Sequence, residues 1–569
     1  MAQQAVAPPS SSAALESWNK LVDEYFDGFF GYHPSEATAT GFHQYDTQLE
    51  DYSRKNIDQQ IAFNRQFRAR LEKFDASSLP LEAQQDYQLI VASINSTLLS
   101  LESIRPWEKN PDRYSSGITG SAFVIMSRKF APPEDRLRSL IAREKQMPAV
   151  FTAARANLNN PPKVYTQVAI EQMPGLISFF QKDVPEAFAG VKDPALLAEF
   201  KESNQGVISA LEKYQNFLQE DLLPISQGDF RIGAENYRKK LEYDEMVDTP
   251  LDRLLEIGYQ DLRKNQQHFK EVAAQIDPKK TPQEILDDLE KDHPTGDNLL
   301  QSFRDVLSGL RQYIERNHIV TIPSQVMPIV EETPPFARAL TSASMDTPGP
   351  YETKATEAYF NVTLPDARWS KQQTEEWLQG FNRGTIISTA VHEAFPGHYT
   401  QFLWLYHAPS KVRKLAGCAS NAEGWAHYTE QMMLDEGYGR PPGSPADPRF
   451  LQLRLGQLQD ALLRDARFIV GISMHTGKMT LEQATDFFVK DGYQTHAVAE
   501  REAKRGTSDP TYLVYTLGKL QIMKLREDYK QIKGDKFSLQ EFHDTFLKQG
   551  FPPVKLIRET MLGNNSPVL

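Results

Sequence analysis

The sequence predicts a mainly α fold, and three observations predict it. Apolar residues recur at spacings of three and four along most of the chain, residues able to cap a helix stand at the head of several such stretches, and alternation of period two is scarce. With 569 residues, 40% of them apolar and 24% charged, the chain has the make-up of a large folded protein. At roughly 150 residues per domain it has room for several domains or one large helical enzyme.

The first fourteen residues, Met1 to Ala14, are small, polar and rich in Pro and Ser, with no basic start and no apolar run. They are expected to form a disordered leader. This leader fits a cytoplasmic protein, or an exported one whose signal peptide Met1 has replaced, and localisation stays open between the two. From Leu15 to about Val320 the pattern is helix after helix. Phe63, Phe67, Leu71 and Phe74 line one face, as do Leu251, Leu254, Leu255, Tyr259 and Leu262. The latter helix is expected to take Asp248 or Thr249 as its N-cap and Pro250 in its first turn. Capping boxes are expected at Thr281–Glu284, Ser370–Gln373, Thr480–Gln483 and Ser538–Glu541. Between Val330 and Arg368 the chain turns rich in Pro and Thr, and Ala358 to Leu364, stopped by Pro365, reads as a strand of a small sheet. This interruption is the expected seam between an N-terminal helical half (15–330) and a C-terminal half (331–569) that carries the chemistry. A second loop, Gly437 to Pro448, holds four prolines.

Several function classes drop out on composition. The net charge of −12 argues against nucleic-acid binding. The single cysteine, Cys418, allows neither an internal disulfide nor a cysteine-ligated zinc finger, and is expected to be a buried structural thiol. No run approaches the ~20 apolar residues of a membrane span. His268, His318 and His496 carry no ligand spacing.

The chemistry concentrates in two segments. In His392-Glu393-Ala394-Phe395-Pro396-Gly397-His398 the sequence offers two imidazoles and an adjacent carboxylate. A zinc hydrolase needs those groups as ligands and general base. Histidines four apart lie within ~40° around a helix axis, whereas six apart they diverge by ~120°, so an unbroken helix cannot bring this pair together. Pro396, four residues after His392, has no N–H to give its carbonyl, and Gly397 comes next, so the ladder should break or bulge and swing His398 back. In the second segment Glu423, His427 and Glu430 fall at i, i+4 and i+7 on one helical face among apolar neighbours. A buried carboxylate needs a partner, which makes Glu423 the expected third ligand, Glu430 an orienting group for a ligand histidine, and His427 a neighbour rather than a ligand.

The pattern H-E-x-x-P-G-H-x-x-Q over 392–401, with E-G-W-A-x-Y-x-E over 423–430, resembles the bacterial family termed domain of unknown function 885, similar to gluzincin zinc peptidases. The resemblance extends over nearly the whole chain, including Pro34 to Thr38 and Gly41. It implies zinc held by His392, His398 and Glu423, Glu393 as base, and a large helical peptidase with a deep central cleft and a small β-sheet at its edge. Asp509 to Lys519 also resembles the family. A phenol opposite the metal would stabilise a tetrahedral oxyanion, and Tyr515, then Tyr512, are the candidates. An exopeptidase acting at C-termini needs a cation for the terminal carboxylate, for which Arg467, Arg501 and Lys519 are candidates. Tyr359 and Asn361 lie on the strand expected to align an extended peptide by β-augmentation. The expected function is hydrolysis of short peptides by a zinc-dependent exopeptidase. The alternatives are a zinc hydrolase of non-peptide amides or esters, and a catalytically silent peptide-binding protein. Oligomeric state is not legible in the sequence.

Overall fold

Helices form wherever the three- and four-residue apolar spacing runs, and the computed structural model, which describes residues 11–333, 338, 341–441 and 447–569, is mainly α with one small sheet. The elements that position the candidate site are helices α1 (Ser11–Tyr32), α2 (Pro34–Thr40), α3 (Asp112–Ser127), α4 (Leu251–Ile276) and α5 (Gly296–Arg316). They continue with strands β1 (Ile329–Glu332), β2 (Ala343–Asp346) and β3 (Tyr359–Val362), then α6 (Arg383–Glu393), α7 (His398–Leu405), α8 (Ala419–Asp435), α9 (Pro448–His475), α10 (His496–Ser508) and α11 (Val514–Lys533).

The first ten residues of the expected leader lie outside the described residues. From Ser11 the chain is helical, and Ala14 is already buried. Reciprocal capping boxes close at Thr281, Ser370 and Thr480. Ser538 caps its helix through the Glu541 amide alone, because the Glu541 carboxylate is taken by Tyr529 and Lys533. The cap of α4 is Pro250 itself, not Asp248 or Thr249; its extended ψ of 141° sets the turn into the helix. Part of the proline-rich loop, 442–446, falls outside the described residues.

The seam expected at residue 330 is not where the core changes. One core joins residues of Tyr114 to Leu222 with Leu49 and Ala355. Another gathers α5 with α6, α8, the sheet and the chain's last helices, and a third packs α4 against α9. The helices from Tyr237 onward thus share their apolar faces with the C-terminal half. The proline-rich stretch interrupts the helical pattern without separating two cores.

The sheet has the order β1-β3-β2, with β1 parallel and β2 antiparallel to β3. Strand β3 is therefore central, both its edges paired, and the sheet's outer edges belong to β1 and β2. The Pro34–Thr38 segment forms α2 and helps anchor the chain beyond β2. The Ser35 amide and hydroxyl both donate to Glu50, and Thr38 joins Arg143 to Asp46. The Tyr351 amide donates to the Thr40 carbonyl, His43 Nε2 pairs with Glu352 at 2.9 Å, and Arg128 binds Asp346 at 2.6 Å. The β2–β3 connection is held by N-terminal residues.

Helices α8 and α11 cross at two glycines. A Cβ on Gly424 would collide with the backbone of Gly518, and one on Gly518 would collide with the Ser420 carbonyl and the Cα of Gly424. Gly518→Ala is expected to push the helices apart, costing about 1–3 kcal/mol by overpacking, with the backbone on both sides unable to yield. A denaturant midpoint equal to that of the parent would refute this.

Candidate metal centre

Helix α6 is capped by Asn382, whose side chain accepts from the Thr385 amide, and it stops at Glu393. The amides of Ala394 and Phe395 both reach back to the Ala390 carbonyl, while that of Gly397 bonds Val391. Pro396 has no amide to continue the ladder. The helix is broken here, not bulged, and α7 starts afresh at His398. Trp425 of α8 clamps the turn, donating its indole N–H to the Pro396 carbonyl at 2.9 Å.

The break brings the two imidazoles together, their ring centroids 4.8 Å apart and their planes perpendicular. Glu423 Oε2 lies 3.5 Å from His392 Nε2 and 3.6 Å from His398 Nε2. Among the described residues, these three side chains form a group whose ligand atoms could hold one metal ion. Bonds of about 2.0–2.1 Å in a tetrahedron place donors roughly 3.4 Å apart, so the spacing suits zinc, as does the mix of two imidazoles with one carboxylate. Three protein donors leave a fourth position open.

The charged groups around the triad stabilise one another against their burial. Burial opposes a charge on His392, yet the carboxylates of Glu423 and Glu430 prevail and push its imidazole up to about 10. Burial likewise opposes the Glu423 charge, but contacts with both histidines hold its carboxyl well below the usual range. Glu430, with its side chain fully buried, accepts from His392 Nδ1 at 2.6 Å, which turns Nε2 toward Glu423. It is held ionised, against its burial, chiefly by Arg464 at 3.3 Å and by His427 at 3.1 Å. Arg464 also meets Asp460, which accepts from Ser388 of α6 at 2.7 Å. Glu393 projects toward the sheet, where its Oε2 accepts the Met345 amide of β2 at 3.2 Å.

The family model described as "Bacterial protein of unknown function (DUF885)" matches residues 34–561. The chain belongs to the DUF885 family. A structure described as a "putative lipoprotein of unknown function" from Shewanella oneidensis is similar at 30% identity and a TM-score of 0.79, covering 96% of this chain and 99% of the other. A "putative lipoprotein" from Colwellia psychrerythraea shares the fold at 19% identity, with a TM-score of 0.79 and coverage of 97% and 99%. No curated protein matches the chain.

In this DUF885 chain the other expected site residues divide. Tyr515 is half-buried on α11, its ring 5.0 Å from the Arg467 guanidinium and 6.0 Å from that of Arg464. Tyr512 is not at the centre. It is 1% exposed and packs with Val470, Met474 and Phe488, because it falls on the inward side of the turn before α11. Arg467 is committed to Glu502 by two hydrogen bonds of 2.7 and 2.9 Å, and Lys519 is buried against Asp261 at 3.0 Å. Neither is free for a substrate carboxylate. Arg501 is exposed and makes no hydrogen bond or salt bridge among the described residues. His427 stands outside the triad: Nδ1 faces Glu430, and its imidazole is pushed down to about 4, first of all by burial. Tyr359 and Asn361 lie on central β3 and offer no free edge. That place falls to β2, the edge strand that meets Glu393, whose four residues at 343–346 alternate but are few and include no β-branched or aromatic side chain to mark a strand. Arg464 and Asp460 are i, i+4 partners on α9, a spacing visible in the sequence, but the reach of Arg464 to Glu430 is tertiary.

Proposed function

We propose that this DUF885 chain is a zinc-dependent peptidase acting on short peptides. The observation that carries it is the convergence of His392, His398 and Glu423, with Glu393 alongside and an unpaired strand edge next to that carboxylate. Zinc bound by the triad would polarise a water molecule and a scissile carbonyl. Glu393 takes a proton from the attacking water and passes it to the leaving nitrogen. Tyr515 lends its hydroxyl to the developing oxyanion. Glu430 fixes the proton of His392 on Nδ1 and so leaves Nε2 free as a donor to metal. An extended substrate lies along β2, main chain to main chain, in place of the β3 edge that the sequence suggested. Among the described residues no helix is long and apolar enough to cross a membrane. The descriptions of the two structural relatives favour an exported location for this chain as well.

The test is metal analysis together with digestion of a mixed peptide library and mass spectrometry of the products. About one zinc per chain is expected, with hydrolysis lost on chelation and regained with zinc. A metal-free chain that binds no zinc, or a zinc-loaded chain that cuts no peptide, would overturn the proposal. The latter result combined with ester or amide cleavage would leave a non-peptide hydrolase.

A further inference from the structure

A cavity of about 940 Å³ opens where β2 begins, lined among others by Lys182, Ser342, Leu364, Trp377, Arg501 and Arg505. It adjoins the centre along two routes. Along the strand, Ser342 stands three residues before Met345, whose amide meets Glu393, a span of roughly 10 Å in extended chain. From another lining residue, the Arg505 guanidinium lies 3.5 Å from the Tyr515 hydroxyl.

The cations around this cavity are not equivalent. Arg338, Arg368 and Arg505 are paired with Glu332, Asp366 and Asp509 respectively. Lys182 and Arg501 both line it, both are exposed, and neither makes a salt bridge or hydrogen bond among the described residues, although each acts on a neighbouring carboxylate, Asp183 and Glu502 respectively. Leu364 and the indoles of Trp369 and Trp377, edge to face at 5.4 Å, give the lining an apolar part, and of its carboxylates Asp366 and Glu502 are paired with Arg368 and Arg467. Two cations outside any salt bridge, in a cavity with an indole-lined part, suit a carboxylate attached to an apolar group.

Resting on the peptidase assignment above, we infer that this cavity receives the carboxyl-terminal end of the substrate, its terminal carboxylate held by Arg501 with Lys182. The position of the cations also sets the direction of the chain. A peptide paired with β2 and placing its C-terminus at the 342 end runs antiparallel to that strand. Roughly three residues fit between Met345 and the mouth of the cavity, so the leaving product is a short peptide, not a single amino acid. The substrate class is peptides with a free C-terminus, preferably with a large apolar side chain near it.

The test compares one heptapeptide as free acid and as C-terminal amide, incubated with the zinc-loaded full chain and analysed by liquid chromatography and mass spectrometry. The acid is expected to be cut with kcat/KM roughly tenfold or more above the amide, since a charged hydrogen-bonded contact is lost in the latter. The expected first product is a C-terminal di- to tetrapeptide. Arg501→Gln should bring acid and amide close to parity, mainly by raising KM for the acid, and Arg501→Lys should restore part of the preference. Equal cleavage of acid and amide by the parent, an undiminished preference in Arg501→Gln, or a single amino acid as first product would overturn the inference while leaving the peptidase assignment standing. Cleavage of neither peptide would remove both.

Discussion

Replacing Glu393 with Gln should leave zinc bound at the parent's stoichiometry and lower kcat by about 10²–10⁴-fold, the range general-base catalysis supplies. The substitution is close to isosteric, and its amide oxygen can still accept the Met345 N–H that meets Glu393 Oε2. The break after α6 and the approach of β2 should therefore survive. Glu393 is not one of the three converging donors, so metal content should not track the loss of activity. The variant loses a group able to take a proton from water and return it to the leaving amine. Glu393→Asp keeps the carboxylate and withdraws it by one methylene, so it should retain more activity than the Gln variant. Metal analysis and steady-state kinetics on the same preparation decide the matter. Turnover at the parental rate in Glu393→Gln would remove Glu393 as the base, and parallel losses of zinc and activity would make it structural.

How far the sequence discloses this arrangement depends on the range of the forces involved. Capping and helical periodicity are local, so Thr281, Ser370 and Thr480 could be read directly, and Pro396 could be read as a break. The triad could be reached because its members lie on two short segments whose residue types have few other joint uses. Elements decided by distant pairing could not be reached. Strand β2 exists because β3 and residues such as Arg128 hold it, and the sequence placed the free edge on the more strand-like β3. Lys519 and Arg467 look like free cations until Asp261 and Glu502, 258 and 35 residues away, come up against them. Tyr512 and Tyr515 differ by three positions, and only the packing of α9 and α10 separates the core phenol from the one beside the site.

Arg464→Met is expected to be the most destabilising single change around the centre. Glu430 has no solvent contact, and Arg464 is the largest influence keeping it ionised against its burial. Removing one partner of such a pair costs about 3–5 kcal/mol, because the other is left as an uncompensated buried charge. The Glu430 carboxyl is depressed in the folded chain, and this sets the sign of the pH dependence. Its favourable contribution is present above the ordinary carboxylate value of 4.5 and is lost as pH falls through the lower folded value. The gap between parent and variant should therefore be full at neutral pH and narrow in acid. A companion change separates this cause from simple loss of packing. Adding Glu430→Gln removes the stranded charge, so the double variant should be more stable than Arg464→Met alone. Its affinity for zinc should nonetheless fall about 10–100-fold, since a neutral amide orients and polarises His392 less well than a carboxylate does. Denaturant midpoints, with Trp425 in the adjoining core as one fluorescent reporter, and competition with a zinc chelator give the two readouts. If Arg464→Met is as stable as the parent, or if the double variant is no more stable than the single, Glu430 is not held by the ion pair described, and the orientation of His392 must come from elsewhere.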